Sequence, residues 1–325
     1  LATQQKENFE RVMIPWLDCL GMQDFMRRMT SWLICLGAVA PFAVTYIPRL
    51  WERPRGRLLM AGCMVVVVLG MVARAVWLKD TSVSALLWAL FLATGLLVFG
   101  MTVGGLLIGS VEKERPAGGP SVQDWRVLLC WFLGGWAFIV LFTPFMAVRH
   151  VLVVMPVILL TFGARVLSGV TRPWTVAGGG ATLLLGIALA VSDWTYADVY
   201  RREAKEINES IPRGHRVWSL GHWGWQWYTR TVGMGQYETG VTRLEMGDYL
   251  VIPQNIYRQQ LSLGPGQSLK RVRAITVPSG PWTWIRSMST TARGTPEGYY
   301  STTCSQLPWS FSVRPVEVID IDEVE

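Results

Sequence analysis

The 325-residue sequence is poor in charge: Asp, Glu, Lys and Arg supply 16% of it, against roughly 25% in an ordinary soluble domain. It has three histidines, and His150, His215 and His222 are not spaced as metal ligands. It has five cysteines and no CxxC pair. Cys35, Cys63 and Cys130 lie inside apolar runs, where free thiols pack as small hydrophobes. Cys19 and Cys304 lie outside the runs and can pair only if both face an oxidising compartment. No GxGxxG follows a strand, and there is no Walker loop, HExxH or GxSxG. No soluble-enzyme motif and no metal site is therefore expected, and no residue is assigned to catalysis. Lys and Arg outnumber Asp and Glu by 30 to 23. The basic excess sits in short loops between apolar runs, where it orients a membrane protein. No nucleic-acid partner is expected.

What the sequence does contain is apolar: 51% of residues are hydrophobic, concentrated between Ser31 and Trp194. Six runs qualify as spans: 31–48, 57–78, 84–109, 127–147, 151–168 and 174–192. The fifth follows the fourth so closely that the two form a helical hairpin. From Asp193 on, the composition is that of a globular domain. The expectation is a polytopic α-helical membrane protein of about six spans with a small C-terminal α/β domain. Its parts are a juxtamembrane segment 1–30, a transmembrane region 31–192 and a domain 193–325.

Loop charge sets the orientation. Arg49, Arg53, Arg55 and Arg57 follow the first run, Lys113, Arg115 and Arg126 the third, and Arg165 and Arg172 the fifth. These loops share one side, which is cytoplasmic by the positive-inside rule. Arg27 and Arg28 count against this, but two charges do not outweigh nine. Residues 1–30, the 147–150 turn and the tail then face outward. Residues 5–29 mix apolar and charged positions, with Pro15 dividing any helix. They read equally as an amphipathic surface segment or a packed juxtamembrane helix. Residues 1–30 lack a basic stretch followed by an apolar one, so no signal peptide is expected. The chain is expected to be the C-terminal part of a longer polytopic protein.

In the tail, 196–211 reads as a charged helix and 216–221 as a strand ending in glycine. HWGWQWYTRTVG (222–233) reads as a helix closed by glycine. Residues 247–253 and 272–278 read as strands, and 316–325 as an edge strand with an acidic tip. Strand, helix, strand points to a partly parallel sheet.

Two segments carry the candidate chemistry. In FTPFMAVRHVLVVMPVILL (142–160), Arg149 and His150 lie between two apolar runs. A guanidinium there suits a lipid-linked phosphate, because it can bond two oxygens at once. An interfacial Arg that snorkels to headgroups looks the same in sequence. The second segment, SLGHWGWQWYTRTVGMGQYE (219–238), holds His222, Trp223, Trp225, Trp227, Tyr228 and Tyr237. Such rings suit sugars and lipid interfaces, and equally the core of a small domain.

Arg149-His150 followed by Val154-Met155-Pro156, with the string GHWGWQWY…GDYLVIP…GYYSTTC…LPWSF, resembles the membrane glycosyltransferases of the dolichyl-phosphate-mannose protein mannosyltransferase type (glycosyltransferase family 39-like, GT-C fold), in their bacterial form. The resemblance covers most of the chain from about Thr143. It implies an enzyme of the bacterial inner (cytoplasmic) membrane that moves a sugar from a polyprenyl-phosphate donor to an acceptor at the outer face. The donor and membrane lipid are its partners. Arg149, His150, His222, Trp223 and Trp225 become substrate-binding candidates. Reaction in this family inverts the anomeric carbon, with a carboxylate as general base. That acid lies in the family's first outward loop. Asp18 and Asp24 do not match it, and His150 replaces the usual aromatic residue. The alternatives are a non-catalytic scaffold or sensor, or a transporter subunit. Coupled transport needs paired intramembrane charges, and the spans carry almost none.

Overall fold

The computed structural model describes residues 22–77, 83–112, 120–143, 146–165, 172–256, 258–287 and 307–325. Most of the expected N-terminal surface segment, Asp18, Cys19, Cys304 and the GYYSTTC string lie outside these. The described residues fall into two compact units. The first takes in 1–185 with 299–308, the second 186–298 with 309–325, as far as they are described.

The first unit is helical. Helix α1 spans Met22–Ala38, followed by a 3-10 turn at Pro41–Tyr46 and a short α2 at Ile47–Glu52. Then come α3 (Pro54–Trp77), α4 (Val83–Val111), α5 (Val122–Phe142), the one-turn α6 (Val148–Val151) and α7 (Met155–Arg165). Helix α8 (Arg172–Ser210) runs on into the second unit. Among the described residues, α3, α4, α5 and α8 are long and apolar enough to cross a membrane. The run expected as the first span is divided instead. Pro41 and Pro48 each lack the N–H that a continuous helix needs, and α1 ends before them. At 1.5 Å per residue, the 17-residue α1 is about 26 Å long and the 11-residue α7 about 17 Å. Both fall short of the roughly 30 Å hydrocarbon layer.

The long helices keep apolar faces uncovered. Leu58, Met64, Val68 and Val72 of α3 and Leu183, Leu184 and Ile187 of α8 are all exposed. Apolar surface on this scale is unstable in water and natural in lipid, so the protein is membrane-associated. Helix α4 is the most enclosed of the four. Its Val98, Phe99 and Leu106 pack with Trp32, Leu33 and Leu36 of α1 and Phe132 of α5. Trp32 meets Phe99 edge-on, with centroids 5.6 Å apart. Ser121 caps α5: its Oγ accepts from the Asp124 N–H (3.1 Å) while the Asp124 carboxylate accepts from the Ser121 N–H (2.6 Å). This is the reciprocal capping arrangement, with Asp in the usual Glu position.

The second unit is α/β. Strands β1 (Val217–Ser219), β2 (Gly235–Gln236), β3 (Tyr249–Pro253), β4 (Leu269–Val277) and β7 (Glu317–Val324) form one sheet in the order β2-β1-β3-β7-β4. Helix α9 (Trp223–Thr231) links β1 to β2. The β1 pairings with β2 and β3 are parallel, and those of β7 with β3 and β4 antiparallel. The C-terminal strand is thus interior, where the sequence pointed to an edge. Its acidic residues are tolerated there because Asp320 and Asp322 both pair with Arg271 on β4, Asp320 at 2.9 Å. A second, two-stranded sheet pairs β5 (Ile285–Arg286) with β6 (Ser310–Phe311).

Period-two alternation divides the large sheet's faces. Tyr249, Val251, Ile319 and Ile321 pack with Tyr196, Tyr200 and Ile207 of α8 and Trp225 of α9. On the opposite face, Leu250, Ile252 and Val324 pack with Leu220, Tyr237 and Leu244. Two polar knots fasten the unit. The Tyr200 hydroxyl donates to Glu317 Oε2 (2.6 Å), and Glu317 Oε1 accepts the N–H groups of Gln254, Asn255 and Val318. Arg216 forks onto Asp248 (Nε to Oδ1 2.8 Å, Nη2 to Oδ2 2.9 Å). Burial alone would raise the Asp248 carboxyl. Hydrogen bonds from Arg216, the Glu245 N–H and the Trp218 indole outweigh that and hold it below the usual range.

Candidate functional site

Arg149 and His150 lie in α6, the single turn between α5 and α7. Two contacts with neighbouring helices fix this connection. The Trp131 indole of α5 donates to the Val153 carbonyl (3.0 Å). From α1, Arg28 Nη1 donates to the carbonyls of Leu141 (3.1 Å) and Thr143 (2.9 Å). Those carbonyls end α5, where a cation balances the negative end of the helix dipole. Two guanidiniums therefore sit at the same end of the helical unit. In the sequence Arg28 registers only as a charge against the orientation. An arginine just ahead of an apolar run is where a long cationic side chain reaches an interface, and that was the available signal.

Arg149 is exposed and His150 half-buried. The Ala147 N–H donates to His150 Nδ1 (3.2 Å), which places the neutral ring's proton on Nε2. Burial lowers the pKa of His150, and the neighbouring Arg149 charge lowers it further. His150 is thus a neutral cap for its own turn, and the cationic reach belongs to Arg149.

The aromatic block belongs to the second unit. His222 is the N-cap residue of α9, and burial lowers its pKa. The Trp223 side chain lies outside the description. Trp225 is fully buried and meets Tyr200 at a centroid distance of 5.6 Å. Its ring offers no surface to a sugar and belongs to the core of the domain. Core packing and ligand stacking demand the same residue type, so the sequence did not separate them. Gly221 precedes the block at φ +119°, and a Cβ there would stand 2.7 Å from Ile256 Cδ1 and 2.9 Å from Trp225 Cδ1. Only glycine allows β1 to turn this closely into α9.

Other tryptophans stay exposed. Trp282, Trp284 and Phe311 are more than half exposed on and beside the two-stranded sheet, and Trp194 of α8 is 79% exposed. Ser287, which follows β5, donates to the Asp193 carboxylate. The small sheet therefore lies beside the point where the apolar stretch of α8 ends. Tryptophan favours such levels, where one side is apolar and the other wet.

Among the described residues, no group of His, Cys, Asp and Glu is arranged to hold a metal ion. No family model, no curated protein and no solved structure matches the chain significantly.

Proposed function

We propose that the chain acts in a glycosyltransferase of the inner (cytoplasmic) membrane that takes its sugar from a polyprenyl-phosphate donor. The observation that carries this reading is the exposed Arg149 on a one-turn helix between apolar helices, with Arg28 at the same end of the unit. Fixed guanidiniums at a membrane surface suit a phosphate that is itself confined to that surface. Arg149 binds the phosphate, and as the sugar leaves it stabilises the charge that remains on the polyprenyl phosphate. No residue is assigned as the base.

The test is binding of a short-chain polyprenyl phosphate to the purified full chain in lipid nanodiscs. Losing a charged hydrogen bond costs about 1.5–3 kcal/mol. Arg149→Ala should therefore weaken binding roughly tenfold to a hundredfold. Arg149→Lys keeps the charge without the fork and should fall between. Unchanged affinity in Arg149→Ala would sink the assignment.

In the same reading the second unit faces away from the cytoplasm, its exposed tryptophans level with the headgroups. A reporter that is active only outside the cytoplasm should work when fused after Glu325 and be silent when inserted at Gly118. The reverse result overturns both the orientation and the outer-face transferase.

A further inference from the structure

Strand β1 lies between β2 and β3, and all three are parallel. The chain leaves β1 through α9 to one side and returns to β3 on the other. The gap between the carboxyl ends of β1 and β3 is thus a topological switch point, where open α/β sheets form ligand crevices. A cavity of about 690 Å³ reaches this point through Leu220 and Gln254, the residues that follow β1 and β3. It lies on the sheet face carrying Ile252, Asp320 and Asp322, opposite α8 and α9.

Its chemistry is specific. The lining holds two arginines, Arg258 and Arg271, and two aspartates, Asp320 and Asp322, so its formal charges cancel. Both aspartates are over nine-tenths buried and already engage Arg271. Gln254 Nε2 donates to Asp320 Oδ2 (2.6 Å), and its Oε1 accepts from Arg258 (3.0 Å). Gln259 Oε1 accepts the N–H of Gly221 (2.7 Å), leaving its amide protons for a ligand. Planar amides, guanidiniums and carboxylates side by side offer paired donors and acceptors. Leu261 and Leu269 supply an apolar wall.

We propose that this crevice binds a neutral carbohydrate of one or two rings. Vicinal hydroxyls match the paired planar groups, a pyranose C–H face matches the leucine wall, and cancelled charge disfavours an ionic ligand. The site is built within the second unit and does not rest on the transferase reading.

The experiment is saturation-transfer NMR on the full chain in nanodiscs, which avoids sugar-headed detergents. The probes are neutral disaccharides of glucose, galactose and mannose, each at millimolar concentration. At least one should receive saturation. Arg258→Ala and Gln260→Ala change exposed side chains that line the crevice and leave the fold intact. Each should weaken binding about threefold to tenfold, the range for one hydrogen bond. Asp320→Asn, inside the crevice, should weaken it at least as much, while Arg230→Ala on α9 should not. No transfer from any neutral disaccharide, equal binding in both surface variants, or tighter binding of a sugar phosphate than of its parent sugar would each overturn the proposal. Unchanged polyprenyl-phosphate binding in Arg149→Ala, with sugar binding as expected, would count against the Arg149 assignment alone.

Discussion

Replacing Glu317 with alanine should melt the second unit at a temperature well below that of the native chain. The side chain is completely buried between the sheet and α8. Its oxygens accept from three backbone N–H groups at 2.8–3.0 Å and from the Tyr200 hydroxyl at 2.6 Å. Alanine leaves the Asn255 and Val318 N–H groups without this acceptor, at about 1–3 kcal/mol each, while the Gln254 N–H keeps the Val318 carbonyl and the Tyr200 hydroxyl falls back on Tyr196. A loss of about 3–5 kcal/mol is expected, which is 6 °C or more for a unit of about 130 residues. Glutamine keeps one acceptor oxygen and should recover most of the loss.

The pH dependence separates the two roles of this carboxyl. Burial pushes its pKa up, and the hydrogen bonds from Tyr200 and the backbone only partly oppose this. The folded pKa therefore lies above the unfolded value of about 4.3. The group's contribution is complete below the unfolded pKa and is lost as pH rises through the folded one. Native protein should gain on Glu317→Gln as pH falls from 7.5 towards 5, in melts followed by tryptophan fluorescence. An alanine variant melting within about 2 °C of native would show that water satisfies the donors and that the knot contributes little.

The reach and the limit of sequence reading show in the same strand. Residues 316–325 alternate well enough to be read as a strand, and β7 occupies 317–324. Its acidic residues argued for an edge. Pairing places it between β3 and β4, because Arg271, 49 and 51 residues away in sequence from Asp320 and Asp322, neutralises both. Local pattern reports period and composition. It does not report which distant cation arrives opposite a carboxylate. The helix 222–233 was legible for the same reason that β7 was, and α9 spans 223–231. The role of Trp225 was not, since a ring that packs on Tyr200 and one that stacks on a sugar are the same letter. The apolar runs marked α3, α4, α5 and α8. The division of the first run required weighing Pro41 and Pro48 against an otherwise continuous apolar stretch. The pairing of Arg28 with the end of α5 joins residues more than a hundred apart, beyond any periodicity.

Gly95 and Gly37 should be among the least replaceable glycines in the helical unit. A Cβ on Gly95 of α4 would collide with the Leu33 carbonyl of α1, and a Cβ on Gly37 of α1 would collide with the Phe91 carbonyl of α4. The obstructing atoms are backbone, so no rotamer change relieves the clash. Small residues at a helix crossing allow this approach, and close packing is what holds apolar helices together in lipid. Gly95→Leu must move α1 away from α4 and open the packing of Trp32 on Phe99. Overpacking costs typically about 1–3 kcal/mol, and here the lost packing around a buried tryptophan adds to it. Gly100 and Gly104 of the same helix have open space where a Cβ would stand. Alanine at either should be neutral or stabilising, by up to about 1 kcal/mol of helix propensity. The two crossing glycines share one interface, so their effects should be coupled. Once Gly95→Ala has parted the helices, Gly37→Ala should cost much less than it does alone. Thermal melts of the four single alanine variants and the Gly37/Gly95 double variant in one detergent test this directly. If Gly95→Ala is as stable as Gly100→Ala, α1 and α4 do not pack backbone to backbone, and the core around Trp32 is held by side chains alone.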